Sequence, residues 1–291
     1  MKHWLCLFLL VSAEAFAVAP DSVAGKVFRE FGAVPRVGAY WESTIVLGSD
    51  GRYIYLKYGD MNVKFGIGSA PNLTRPYTIF IQDPPKDGTY TYVRTGESTG
   101  TLELTDDSGA KQSYALPFSS LSAGVDLPSG PLPSSREFYF TDLTAMQSAP
   151  VTNVFVRGQV SPGHPLIVGL VIPGTQEREV LIRAVGPSLA PFGVSGVWAD
   201  PDFQLYQGTI PANPKEVHYG DWSVQPFSGG LPSAVAGFQK IFNYLGAFPL
   251  LAGSKDAADV VRLAAGIYTI VASTGAGDTG GEALLEVYPL P

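Results

Sequence analysis

The sequence has one cysteine, Cys6, in 291 residues. A single thiol excludes an internal disulfide framework and any cysteine-based metal site. Domains larger than about 100 residues can stand on hydrophobic cores without such staples. Histidine is almost as scarce, with His3, His164 and His218. No H-x-x-x-H spacing joins them, which leaves zinc chemistry without a ligand set. Charged residues make up 15%, against about 25% in an average soluble protein. The net charge is −7, and lysine and arginine form no cluster. Nucleic acid and anionic membrane surfaces both need such clusters, so neither is an expected partner. No apolar run is long enough for a membrane-spanning helix.

Catalytic signatures are also missing. A nucleophile elbow needs G-x-S-x-G, and both Gly186-Pro187-Ser188-Leu189-Ala190 and Gly193-Val194-Ser195-Gly196 fail the pattern. Gly275-Ala276-Gly277-Asp278-Thr279-Gly280 spells G-x-G-x-x-G. A dinucleotide site needs a helix next, and here the pattern of a strand follows, so a hairpin loop is expected. Asp278-Thr279-Gly280 also spells the aspartic protease triplet, but that chemistry needs two carboxylates sharing a proton and no second triplet exists. Asp106-Asp107 reads as a turn pair facing water. Glu282 and Glu286 share a strand face, expected to be the solvated one.

What the chain does have is turn-forming residues and apolar residues: 33 glycines, 24 prolines and 45% hydrophobic side chains. This is the composition of secreted all-β domains. Residues 1–19, MKHWLCLFLLVSAEAFAVA, read as a signal peptide. Lys2 and His3 precede a short apolar run, and three overlapping A-x-A patterns place cleavage between about Ala15 and Ala19. The expected location is therefore secreted or periplasmic.

Residues 20–145 read as an N-terminal antiparallel β domain, a meander closed as a barrel or packed as a sandwich. Tyr40–Leu47 and Arg52–Tyr58 flank Asp50-Gly51, a strong hairpin signal. Asn62–Ile67, Tyr77–Gln82, Gly88–Arg94, Gly100–Thr105, Gln112–Phe118 and Arg136–Thr141 continue the strands. Residues 127–135, LPSGPLPSS, read as a long loop, and residues 146–151 as the linker. Residues 152–291 read as a jelly-roll-like β-sandwich. Its strands are Asn153–Val160, Pro165–Ile172, Glu179–Val185, Phe203–Tyr206, Glu216–Tyr219, Ala258–Leu263, Ile267–Ser273 and Ala283–Tyr288. One short helix is predicted from the spacing of Val235, Phe238, Ile241, Phe242 and Leu245, with Ser233 as cap and Gly246 as stop.

The second half carries an ordered series of short segments. They include Val180-Leu181-Ile182-Arg183-Ala184-Val185-Gly186-Pro187-Ser188-Leu189, Gly220-Asp221-Trp222, Gly253-Ser254-Lys255-Asp256-Ala257 and Ala283-Leu284-Leu285-Glu286-Val287-Tyr288. With these segments, residues 153–290 resemble a β-rich module of secreted verrucomicrobial-type bacterial proteins, distantly similar to the pre-peptidase C-terminal β-sandwich. The resemblance implies an extracellular β-sandwich with no known activity. Gly220 and Ser223 stand where members of the module tend to carry asparagines.

Two candidate sites emerge. If Phe203–Tyr206 pairs antiparallel with Glu216–Tyr219, Asp200, Asp202 and Asp221 converge at one end of the sandwich, a possible calcium site. The competing role for these aspartates is hydrogen bonding to turn backbone. Trp222 is the candidate binding residue, because an exposed indole can stack on a sugar or a partner side chain; the competing role is a packed or rim tryptophan. Trp41 and Trp198 are the other tryptophans outside the leader. The functional expectation is a non-enzymatic secreted protein with an attachment, recognition or structural role, its partner an extracellular glycan or surface protein. The alternative is an extracellular hydrolase acting on polysaccharide through a carboxylate pair.

Overall fold

The structure is a computed structural model. It describes residues 18–34, 39–61, 86–120, 122–126, 136–142, 153–175, 177–208, 218–223 and 232–291. The leader up to residue 17, the strands expected at Asn62–Ile67 and Tyr77–Gln82, the loop 127–135 and the linker 146–151 lie outside the described residues.

The chain is all-β with one short helix. The first eight strands are β1 (Lys26–Val34), β2 (Ala39–Leu47), β3 (Arg52–Met61), β4 (Gly88–Arg94), β5 (Thr99–Asp106), β6 (Lys111–Ser120), β7 (Ala123–Asp126) and β8 (Arg136–Asp142). They pair antiparallel in sequence order, and β1 pairs with β8 to close a barrel. Of the two closures left open by the sequence, the barrel is the one found. β1 and β7 were not foreseen. The first lies upstream of the recognisable alternation, and the second is four residues with a glycine inside.

Alternation along each strand sends one set of residues into the barrel. Phe28, Ile45, Leu47, Tyr53, Tyr55, Leu102, Leu104, Tyr114, Leu116, Phe118, Phe138 and Phe140 form its core. An eight-stranded barrel is just wide enough for side chains to fill it, which these rings do. Phe28 sits 5.0 Å from Phe140 and 5.3 Å from Tyr114, centroid to centroid, and Phe118 lies edge-on to Phe138. Outward positions such as Thr89, Thr91, Lys111 and Ser113 are exposed and polar. Ala19 and Val23, just ahead of β1, pack on the same core.

The second half forms two four-stranded antiparallel sheets. Its strands are β9 (Val154–Val160), β10 (Leu166–Ile172), β11 (Arg178–Val185), β12 (Phe203–Gln207), β13 (His218–Tyr219), β14 (Ala257–Leu263), β15 (Gly266–Ala272) and β16 (Gly281–Pro289). One sheet runs β10-β15-β12-β13 and the other β14-β11-β16-β9. Their facing surfaces bury Val168, Ile172, Ile182, Trp198, Phe203, Ile270, Leu285 and Val287. The expected pairing of β12 with β13 is present, with Phe203 opposite Tyr219.

Helix α1 (Pro232–Leu245) ends at Gly246, whose φ of 70° stops it. Its apolar stripe, Phe238, Ile241 and Phe242, packs on the outer face of the second sheet against Leu181, Val185, Val260 and Tyr288. The same cluster takes in Val27, Val46 and Leu56 from the outside of the barrel. One apolar layer thus joins barrel wall, helix and sheet. Among the described residues no helix is long and apolar enough to cross a membrane.

Candidate functional site

Trp222 is 0% exposed. Its ring packs on Phe238 and Phe242 at 6.5 and 5.9 Å, and its Nε1 donates to Ser254 Oγ at 3.1 Å. It is a core residue, and no sugar or partner can reach its face. Of the two roles open to it, the packed one is found, because α1 folds over the segment that follows Gly220-Asp221.

The three aspartates do not assemble a calcium site. Asp200 is ion-paired with Lys255. Asp221 lies close enough that Lys255 is held above the usual lysine range, first by its hydrogen bond to Asp200 and further by the charges of Asp200 and Asp221. The ammonium of Lys255 therefore stands beside Asp200 and within the field of Asp221. Asp202 is half-buried. Among the described residues no three of His, Cys, Asp or Glu gather as metal ligands. His164 lies exposed in the β9–β10 turn, whereas the side chains of Trp41 and His218 lie outside those described.

The remaining motifs turn out to be structural. Trp198 Nε1 donates to Asp278 Oδ2 at 2.6 Å, and Gly280 N donates to Asp278 Oδ1 at 2.9 Å. The G-x-G-x-x-G loop therefore wraps a buried indole. A Cβ on Gly186 would come within 2.0 Å of the Trp198 carbonyl oxygen, and one on Gly281 within 2.4 Å of the Trp198 nitrogen. Glu282 and Glu286 do share a face, but it is open to solvent only at the Glu282 end. Glu282 pairs with Arg157 at 2.9 Å, while Glu286 is buried against Arg183 beneath α1. Arg183 also donates to the Phe248 carbonyl at 2.7 Å and lies 4.8 and 4.6 Å from the ring centroids of Phe242 and Phe248.

A second buried hub centres on Asp256. Its carboxylate accepts from Gly186 N at 2.7 Å, Ser188 N at 3.3 Å, Ser254 Oγ at 2.6 Å and Ser188 Oγ. Ser188 Oγ in turn accepts from Leu251 N at 2.7 Å. The segments 180–189, 220–222 and 253–257 meet at this hub, so their shared pattern encodes a folded junction.

An open groove lies elsewhere, where α1 meets the barrel. It has a volume of about 480 Å³ and is lined by Lys86, Asp87, Asp107, Gln239, Lys240 and Asn243, with the exposed Ala236 beside them. β3 and β4 pair over only Arg52–Thr89 and Tyr53–Gly88. Past that point Asp87 Oδ1 replaces the ladder, accepting from Tyr55 N at 2.9 Å. The same oxygen accepts from Lys240 Nζ at 2.5 Å, which fixes the helix to the barrel. Asp107 N donates to the Asp87 carbonyl at 2.9 Å, and Arg52 pairs with the Asp107 side chain at 3.1 Å. Tyr53 donates to the Lys86 carbonyl at 3.1 Å. Burial first, then the charges of Asp106, Asp87 and Asp107, pushes its phenol up to about 12. Asp106 caps its own turn through Ser108 and Ala110, and these hydrogen bonds, that of the Ser108 side chain foremost, hold it below the usual carboxylate range.

Gln239 and Asn243, four residues apart, present their amides from one side of the helix. Sequence reasoning missed this groove because its residues are separated by more than 130 positions. The polar side of α1 was the available signal, opposite the stripe that predicted the helix. No family model matches the chain, and no curated protein matches it.

Proposed function

We propose that this is a non-enzymatic protein of the cell exterior, serving recognition or attachment, with the α1–barrel groove as its ligand face and an extracellular glycan as ligand. The supporting observation is where its polar groups lie. The Arg183–Glu286, Asp256 and Trp198–Asp278 groups are committed to buried junctions, whereas the groove presents the amides of Gln239 and Asn243 and the exposed Lys86 beside the ion pairs of Asp87 and Asp107. Such side chains bridge the hydroxyls of a sugar by paired donation and acceptance. The resemblance of residues 153–290 to a secreted module with no known activity supports the same reading.

The expected outcome is binding on a glycan array, weakened at least tenfold by Gln239→Ala with Asn243→Ala while the melting temperature holds. A blank array together with a blank surface-extract pull-down would sink it. Export is part of the proposal. Ala19 is packed in the barrel core, so cleavage after Ala15 or Ala17 retains it and cleavage after Ala19 removes it. Mass spectrometry of exported protein should find Phe16 or Val18 at the N-terminus.

One observation favours a second reading, polysaccharide hydrolysis. Asp87 and Asp107 line the same groove, as a carboxylate pair must. Both already accept from protein cations, which is why it ranks second. Turnover of any polysaccharide, lost in Asp107→Asn, would promote it.

A further inference from the structure

The sandwich has two sheets and therefore four edge strands, and edges are sites of unwanted pairing unless blunted by shortness, charge or proline. β13 is two residues long. β9 carries Arg157 at its centre, and β14 carries Asp259 and Arg262. β10, Leu166-Ile167-Val168-Gly169-Leu170-Val171-Ile172, has seven residues, no charge and no proline. Among the described residues only β15 pairs with it.

The outer face of β10 is apolar and open. Ile167 is 51% exposed and Val171 64%, and Ile267, directly opposite Val171 on β15, is 63% exposed. Between Ile167 and Val171 the face is interrupted by Gly169. A Cβ there would meet nothing within 4 Å, so packing inside this chain does not require glycine at that position. A glycine within a strand often marks a close approach by another backbone.

We propose that β10 pairs with β10 of a second copy, antiparallel about a two-fold axis at Gly169, to continue the sheet across a dimer. The strand is chemically symmetric about that glycine. Antiparallel pairing sets Ile167 opposite Val171 of the partner subunit, Val168 opposite Leu170 of the partner subunit and Leu166 opposite Ile172 of the partner subunit. A two-fold contact uses the same patch on both copies and so demands this self-complementarity. An unrelated strand would demand none, which is why the occupant is a second copy. The two bare glycines face each other at the axis and let the flanking β-branched pairs close over them.

The test uses the full chain with Cys6→Ser, so that any introduced thiol is the only one. One strand pair is a small interface, and the dimer should dissociate at about 10–100 µM in sedimentation equilibrium. Gly169→Lys places like charges opposite each other at the axis and should weaken the dimer at least tenfold with the melting temperature unchanged. Gly169→Cys should give a disulfide-linked dimer under mild oxidation, since directly opposed Cα atoms lie about 4.5–5.5 Å apart. Val171→Cys, which faces Ile167 of the partner subunit, should cross-link far less. A monomer throughout that range with no Gly169→Cys cross-link overturns the proposal. So does a dimer that Gly169→Lys leaves intact, or a monomer that instead takes up an added foreign strand on β10.

Discussion

Inside the barrel Phe28, Tyr114, Phe118, Phe138 and Phe140 meet ring against ring, whereas the sandwich places an arginine–glutamate pair and a carboxylate hub beneath α1. Ring packing fills a closed shape but fixes no direction, because apolar contact is non-directional. Closure supplies the missing specification: every strand of the barrel has two neighbours, so no strand can slip without breaking the circle. The sandwich has open edges and lacks that constraint. It carries directional bonds in its place, Arg183 to Glu286 and four donors to Asp256. All but the Ser254 bond join segments far apart in sequence, so each of those fixes which loop meets which strand.

If the comparison is right, the largest loss comes from breaking a directional bond and leaving its partner behind. Arg183→Met strands Glu286 in a buried site and should cost about 3–5 kcal/mol. Adding Glu286→Leu should recover most of that, leaving the double variant within about 2 kcal/mol of the parent. Chemical denaturation of the parent, single and double variants measures both numbers. A double variant no better than the single would mean that Tyr288 and Phe248, which also bond to this pair, matter more than the charge.

The barrel should respond to volume instead. Phe138→Ala removes a ring that touches Phe28, Phe118 and Phe140 and should cost about 3–4 kcal/mol. Phe138→Leu keeps most of the volume and should cost about 1 kcal/mol. Equal losses for the two would show that the ring geometry itself is needed, and the contrast with the sandwich would narrow.

The same contrast explains how much could be read from the sequence. Alternation with turn residues gave the strands from β2 to β6 and β8, and helical spacing gave α1, because those signals are local. Closure was one of two open readings, with β8 as a closing strand, but its partner β1 was not visible, since the pairing joins residues more than a hundred positions apart. The buried charges were read backwards. Glu286 looked solvated because a charged residue on an alternating strand usually is, and only the helix laid across that face reverses it. The binding role of Trp222 failed in the same way. For Asp200, nothing local announces that Lys255, 55 positions on, is its partner.

A smaller effect tests direction without volume. Asp256→Asn keeps the shape of the hub but replaces an acceptor with a donor. Ser188 Oγ accepts from Leu251 N and donates to Asp256, and Ser254 Oγ accepts from Trp222 and donates to Asp256. With an amide nitrogen at Oδ2, both hydroxyl hydrogens lose their acceptor. The expected cost is about 2 kcal/mol. Trp222 fluorescence should shift as its Ser254 partner reorients. No loss of stability would mean that the hub, like the barrel, is specified by shape.

The smallest effect lies where the barrel meets the groove, at Tyr53, a core ring with a raised phenol. Tyr53→Phe removes the bond to the Lys86 carbonyl and should cost about 1 kcal/mol at neutral pH. The phenol of Tyr53 is raised from 10.0 to about 12 in the fold, so the folded state favours the protonated form. That contribution is fully present below the unfolded value and is lost as pH rises from there through the folded one. The parent should therefore lose stability between pH 10 and 12 relative to Tyr53→Phe, and the gap between them should close or reverse. Other tyrosines titrate in both proteins and cancel in the difference. Parallel profiles would mean that Asp87, Asp106 and Asp107 are screened from this ring. The groove would then be more open to solvent than its hydrogen bonds imply, and the barrel core would end at Tyr55.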